Sequence, residues 1–74
     1  MKLIFESGRG WRIPVELPET GDPAWTCRQI LSRGRSLLLF ENPAHPPLFV
    51  DLKTRDRTPQ PMPMAEYIEL LADD

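Results

Sequence analysis

Two glycines bracket Arg9 in the stretch Glu6-Ser7-Gly8-Arg9-Gly10-Trp11-Arg12. Such a grouping could cradle a phosphate, present an arginine to nucleic acid, or simply turn the chain. A phosphate cradle needs its glycines to open a helix whose N–H groups face the anion. Here the residues that follow alternate as a strand does, so the spacing predicts a hairpin turn. The other groups able to do chemistry are sparse. Cys27 is the only cysteine and His45 the only histidine, too few ligands for a zinc site, and no metal or cofactor is expected. Ser7 and Ser32 have no evident base beside them, and no pair of the eleven carboxylates stands in a recognisable acid–base setting. The chain therefore reads as non-enzymatic.

Recognition chemistry is better represented. Arginine outnumbers lysine seven to two, and a guanidinium suits planar contacts with carboxylate, phosphate or aromatic rings. Arg9, Arg12, Arg55 and Arg57 form the candidate set for a nucleic-acid surface. The net charge of −2 is too mild for a DNA mimic and too acidic for a general nucleic-acid binder. The balance is uneven, because Glu66, Glu69, Asp73 and Asp74 crowd the C-terminal end.

At 74 residues the chain is read as one domain with a marginal core. A single cysteine forms no internal disulfide, and nothing demands an oxidising compartment. Leu3-Ile4-Phe5 is too short for a signal-peptide core, and no apolar run reaches membrane length. These features lead to the expectation of a cytoplasmic protein.

The elements that must position these side chains show an internal echo. The segment LIFESGRGWRIPVEL lies over LLFENPAHPPLFVDL without a gap at an offset of 35 residues (Leu3 over Leu38). Leu3/Leu38, Phe5/Phe40, Glu6/Glu41, Val15/Val50 and Leu17/Leu52 are identical. Self-similarity of this kind suggests a repeated unit, with pseudo-repeats at 2–34 and 36–72. Each is expected to run strand, turn, strand, helix. Strands are assigned to 2–6, 11–17, 36–41 and 48–54. One helix is assigned to 23–33, from Asp22 as N-cap and Pro23 in the first turn to Gly34 as the stop. A second is assigned to 64–72, with Met64, Tyr67, Ile68 and Leu71 on one face. Prolines at 59, 61 and 63 make the preceding connector extended and stiff.

The expected fold is thus α+β, ββαββα, a four-stranded antiparallel sheet with both helices on one face. Pro14 belongs on an edge strand because it cannot donate to a ladder, which favours the order 2-1-3-4. Alternation sends Leu3, Phe5, Ile13, Val15, Leu38, Phe40, Leu48, Val50 and Leu52 to one side. The other side would expose Ile4, Leu37, Leu39 and Phe49 within a rim of charges such as Arg12, as a protein interface does. Trp25, off the core stripe of its helix, is a further candidate contact. Cys27 is expected to be a small buried hydrophobe.

Two functions follow as expectations. The first is a small protein-binding module, an inhibitor, adaptor or regulator whose partner is another protein or a second copy in a homodimer. Phage-type inhibitors of host defence share this make-up as a class, although no motif carries that name. The alternative is a nucleic-acid-binding protein using the four arginines.

Overall fold

The computed structural model describes residues 1–22 and 24–73. It is mostly β: β1 (Lys2–Glu6), β2 (Arg12–Glu16), β3 (Thr26–Ser32), β4 (Arg35–Asn42), β5 (His45–Asp51), β6 (Gln60–Pro61) and one helix, α1 (Met64–Asp73). β1 and β2 form a two-stranded sheet, and β3-β4-β5-β6 form a second sheet of four strands, all antiparallel. The small sheet covers one face of the large sheet and α1 covers the other.

This corrects the ββαββα expectation, its two helices on one sheet, and its strand order 2-1-3-4. Lys2–Glu6 does not pair with the strand at Arg35–Asn42; each belongs to a different sheet. The nine residues expected to share a core do share one, which comprises Val15, Leu17, Trp25, Leu38, Phe40, Leu48 and Val50, with Leu3, Phe5, Ile13, Cys27 and Leu52 against it. Its two walls are two sheets, however, and not a sheet and helices. Pro14 does lie on an edge strand, since a two-stranded sheet has only edges.

The segment assigned to a first helix is β3. Pro23, read there as a helix start, lies outside the described residues. Asp22 Oδ1 accepts the N–H of Ala24 at 2.9 Å, the geometry of an Asx-type bend. The bend delivers a strand because β4 needs a partner along this edge. At the far end Arg33 and Gly34 both have positive φ, 51° and 74°. That pair makes the mirror-image two-residue turn that joins antiparallel strands. The same glycine would have served as a helix stop, which is why the sequence signal misleads.

β4 explains the layering. Leu37, Leu38, Leu39 and Phe40 are each 1% exposed or less. A strand buried on both faces reads as a continuous apolar run. Leu38 and Phe40 point into the inter-sheet core, while Leu37 and Leu39 enter a second core with Ile30, Met62 and Leu70, against which Phe49 and Tyr67 pack. The prolines of β5 sit at its N-terminal end, opposite a register shift between Phe40 and Asn42. A residue without an N–H cannot continue the ladder there, and the bulge absorbs the gap.

The two hairpins pair in one register. Leu3↔Val15, Ile4↔Pro14 and Phe5↔Ile13 correspond, each number raised by 35, to Leu38↔Val50, Leu39↔Phe49 and Phe40↔Leu48. Among the described residues only the second hairpin is followed by a helix. α1 lies where the sequence placed it, but it turns Tyr67 and Leu70 inward, and Met64 and Ile68 are each 60% exposed. Among the described residues no helix is long and apolar enough to cross a membrane.

Candidate binding surface

The opening loop of the chain resolves first. Ser7 organises residues 7–11: its hydroxyl accepts the N–H of Arg9 at 3.3 Å and of Trp11 at 3.1 Å. Its carbonyl accepts the N–H of Gly10 at 3.0 Å, and its own N–H donates to Trp11 O at 2.9 Å. Gly10 supplies the positive φ, 84°, that the turn requires. The N–H groups of Ser7, Arg9, Gly10 and Trp11 are therefore spent inside the loop, and Gly10 serves the turn.

The tight loop pushes Trp11 outward. It is 65% exposed, whereas alternation along a strand at 11–17 would set it on the inward side with Ile13 and Val15. The strand begins only at Arg12, so Trp11 still belongs to the turn; the adjoining Gly10 was the signal. Trp11 stands at a cleft of about 210 Å³ between the two sheets, with Phe5, Ile13 and Leu52 in its walls and Ser7, Gln29, Ser36, Lys53 and Arg57 around them. Lys53 Nζ donates to Gly34 O, and Arg57 Nη1 donates to Thr54 O and, at 3.3 Å, to Asp51 O. The Lys53 bond ties the β5–β6 connection to the β3–β4 turn, the Arg57 bonds close that connection on itself, and both cations stand at the cleft.

Of the four arginines proposed for nucleic acid, Arg9 and Arg12 lie on the first hairpin and Arg55 and Arg57 on the β5–β6 connection, at the same end of the molecule. They are not one uninterrupted basic stripe. Arg12 Nε lies 3.3 Å from Glu6 Oε1 in an exposed ion pair. Asp51 and Asp56 share the second loop; bonds from the N–H and hydroxyl of Thr58 hold the Asp56 carboxyl below its usual range.

The residues proposed for a protein interface are dispersed. Leu37 and Leu39 are fully buried, and Phe49 is half-buried under α1 and the proline-rich connector. The face expected to be open is covered, because Met62 and Leu70 fill it. Trp25 is buried and packs on His45, with ring centroids 5.4 Å apart. Ile4 and Arg12 remain exposed, on the outer face of the small sheet.

A second groove, about 510 Å³, lies beside α1 and is lined by Thr26, Glu41, Asn42, His45, Pro47 and Tyr67 among others. Tyr67 donates its hydroxyl to Glu41 Oε2, and Arg28 Nε lies 3.4 Å from Glu41 Oε1. This triad ties α1 to the sheet. The hydrogen bond to Glu41, with some burial, raises the Tyr67 phenol above its ordinary value of 10.0. Because the raised value belongs to the folded state, the unfolded chain ionises first as pH climbs past 10, and stability falls from there. Tyr67 is the only tyrosine, so an alkaline absorbance titration reads it directly. Glu41→Gln is expected to move that titration downward; an unchanged midpoint would show that the carboxylate does not hold the phenol.

Nucleophile chemistry has little support. Burial pushes the Cys27 thiol up to about 11, and its thiolate is scarce at neutral pH. His45 Nδ1 lies 2.7 Å from Pro46 O, which makes it a donor there. Among the described residues no three His, Cys, Asp or Glu side chains are grouped to hold a metal. Comparison with protein-family models, with curated proteins and with solved structures finds no match.

Proposed function

We propose that the protein is a small, non-enzymatic, cytosolic binding module that engages another protein through Trp11 and the cleft beside it. The observation that carries this reading is the exposure of Trp11, 65%, among interleaved charges of both signs. Tryptophan and arginine dominate the energetics of protein interfaces, where an aromatic anchor enters a pocket and a polar rim excludes water. Here Trp11 and Arg9 would be the anchors, and Glu6, Arg12, Asp51, Lys53, Asp56 and Arg57 the rim. Stoichiometric inhibition or adaptation is the mode such a surface serves.

Trp11→Ala is the test. Partners captured from the native host are identified, purified and titrated against both proteins. Truncating a tryptophan hot spot weakens binding roughly 30-fold or more. Equal affinity for both proteins would remove Trp11 from the interface. One observation favours a second reading, in single-stranded nucleic acid: an exposed indole beside Lys53 and Arg57 resembles a stacking platform with cations. Oligonucleotide binding that quenches tryptophan fluorescence and weakens steeply with salt would select it.

A further inference from the structure

We propose that β3 pairs edge to edge with β3 of a second copy of this chain, joining the two large sheets into one. The edges of the molecule differ in how they are protected. Edge strands normally carry proline, lysine, a bulge or extreme shortness, which block pairing with another chain. β1 begins at Lys2, β2 contains Pro14, and β6 is two residues long and contains Pro61. β3 runs for seven residues, TCRQILS, with none of these devices, and no described strand pairs with its outer side. Its one charge, Arg28, is already matched by Glu41 at 3.4 Å.

The turn at Arg33 and Gly34 fixes which backbone groups the edge offers. A two-residue turn makes its flanking residues, Ser32 and Arg35, a hydrogen-bonded pair, and bonding alternates from there. Thr26, Arg28 and Ile30 therefore bond to β4, while Cys27, Gln29 and Leu31 turn N–H and C=O outward. The other side of β4 agrees: Ser36, opposite Leu31, gives its carbonyl to Leu52 N–H at 2.9 Å, toward β5.

The strand is complementary to itself. A two-fold axis at Gln29 sets Thr26 opposite Ser32 of the second copy, Cys27 opposite Leu31, and Arg28 opposite Ile30. Every outward N–H then meets an outward carbonyl, as an isologous interface requires. Cys27 would cover Leu31, which is 74% exposed in the single chain. α1 lies on the opposite face of the joined sheet, the face of Ile30. Its Glu66 reaches Arg35 at 3.6 Å and its Glu69 reaches Arg33 at 3.4 Å, so the helix runs from β4 out toward the β3 edge. A two-fold axis perpendicular to the sheet sets both copies of α1 on one face of the joined sheet, where Ile68 and Leu71 are exposed in the single chain. A domain of this size gains from such added burial.

The mass in solution, measured by light scattering and sedimentation from micromolar to millimolar concentration, is expected to rise to twice 8.5 kDa. Gln29→Pro removes the central outward N–H without touching the β4 ladder, a substitution an edge strand tolerates. It should leave a folded chain whose self-association is weaker by roughly a hundredfold, from lost and unpaired hydrogen bonds. In the wild type, amide exchange at Cys27, Gln29 and Leu31 should slow as concentration rises, while Arg28 and Ile30 stay protected throughout. A wild type that is monomeric at millimolar concentration, or a dimer that survives in folded Gln29→Pro, overturns the proposal. Should Gln29→Pro not fold, the exchange measurement decides alone: outward amides that exchange freely at every concentration overturn it. Trp11→Ala should leave the mass unchanged, which separates this surface from the one at the cleft.

Discussion

Leu39→Asp is expected to unfold the protein. Leu39 is 0% exposed and lies between Ile30, Leu37, Met62 and Leu70 on the helix side of β4. Removing a buried leucine side chain costs about 2–5 kcal/mol, and a carboxylate left there without a cation adds several more. A domain of this length has roughly 4–11 kcal/mol in total. The sum of the two penalties is as large as that margin, and far-ultraviolet circular dichroism should show loss of the sheet at neutral pH. Ile4→Asp is the informative companion. Ile4 is 47% exposed on the outer face of the small sheet, and its substitution should shift stability by only about 1 kcal/mol. The sequence pattern placed both residues on one open face; the structure separates them into core and surface. A folded Leu39→Asp monomer would restore the open face and refute the layering.

Ending the chain after Pro63 should have an effect of similar size. The deletion removes Leu70 and Tyr67 from the second core, the Tyr67–Glu41 bond, and the pairs of Glu66 and Glu69 with Arg35 and Arg33. The exposed ion pairs contribute little. The two apolar side chains contribute about 1.5–3 kcal/mol each, and Ile30, Leu37 and Leu39 would lose their cover. The truncated chain is expected to bind hydrophobic dyes, to aggregate, and to lose a cooperative urea transition. A sharp transition with a native-like midpoint would mean that the sheets are stable without their third layer.

The hairpin members of the inter-sheet core were legible in the sequence, because alternation in the two hairpins is strict: Leu3 and Phe5 answer Ile13 and Val15, and Leu38 and Phe40 answer Leu48 and Val50. The identity of the opposing layer was not. Pairing with β3 is a contact between distant needs, and the local signals of Asp22 and Gly34 serve a bend and a turn as readily as the two ends of a helix. The run Leu37-Leu38-Leu39-Phe40 held the missing information. Four consecutive apolar residues mark a strand with both faces covered, and that alone argues against an exposed Leu37 and Leu39. On the functional side, Trp11 was misplaced by extending a strand one residue into a glycine turn. Trp25 could not be placed without knowing that the loop before β3 folds over His45.

Each described strand pairs only with its neighbours in sequence: β1 with β2, β3 with β4, β4 with β5, β5 with β6. No crossover has to close before a ladder can begin. The loop entropy that slows most β proteins is therefore small at each step, and assembly can proceed as a local zipper from the turns at 33–34 and 43–44. Among the described residues the first hairpin has no ladder to the rest and packs on it through the side chains of the inter-sheet core, and isolated two-stranded hairpins are marginal. It should dock last on folding and detach first on unfolding. Amides of β4 should then be the slowest to exchange with solvent, and those of β1 and β2 among the fastest of the strands. The end of the molecule that carries Trp11 is thus mounted on its least anchored element.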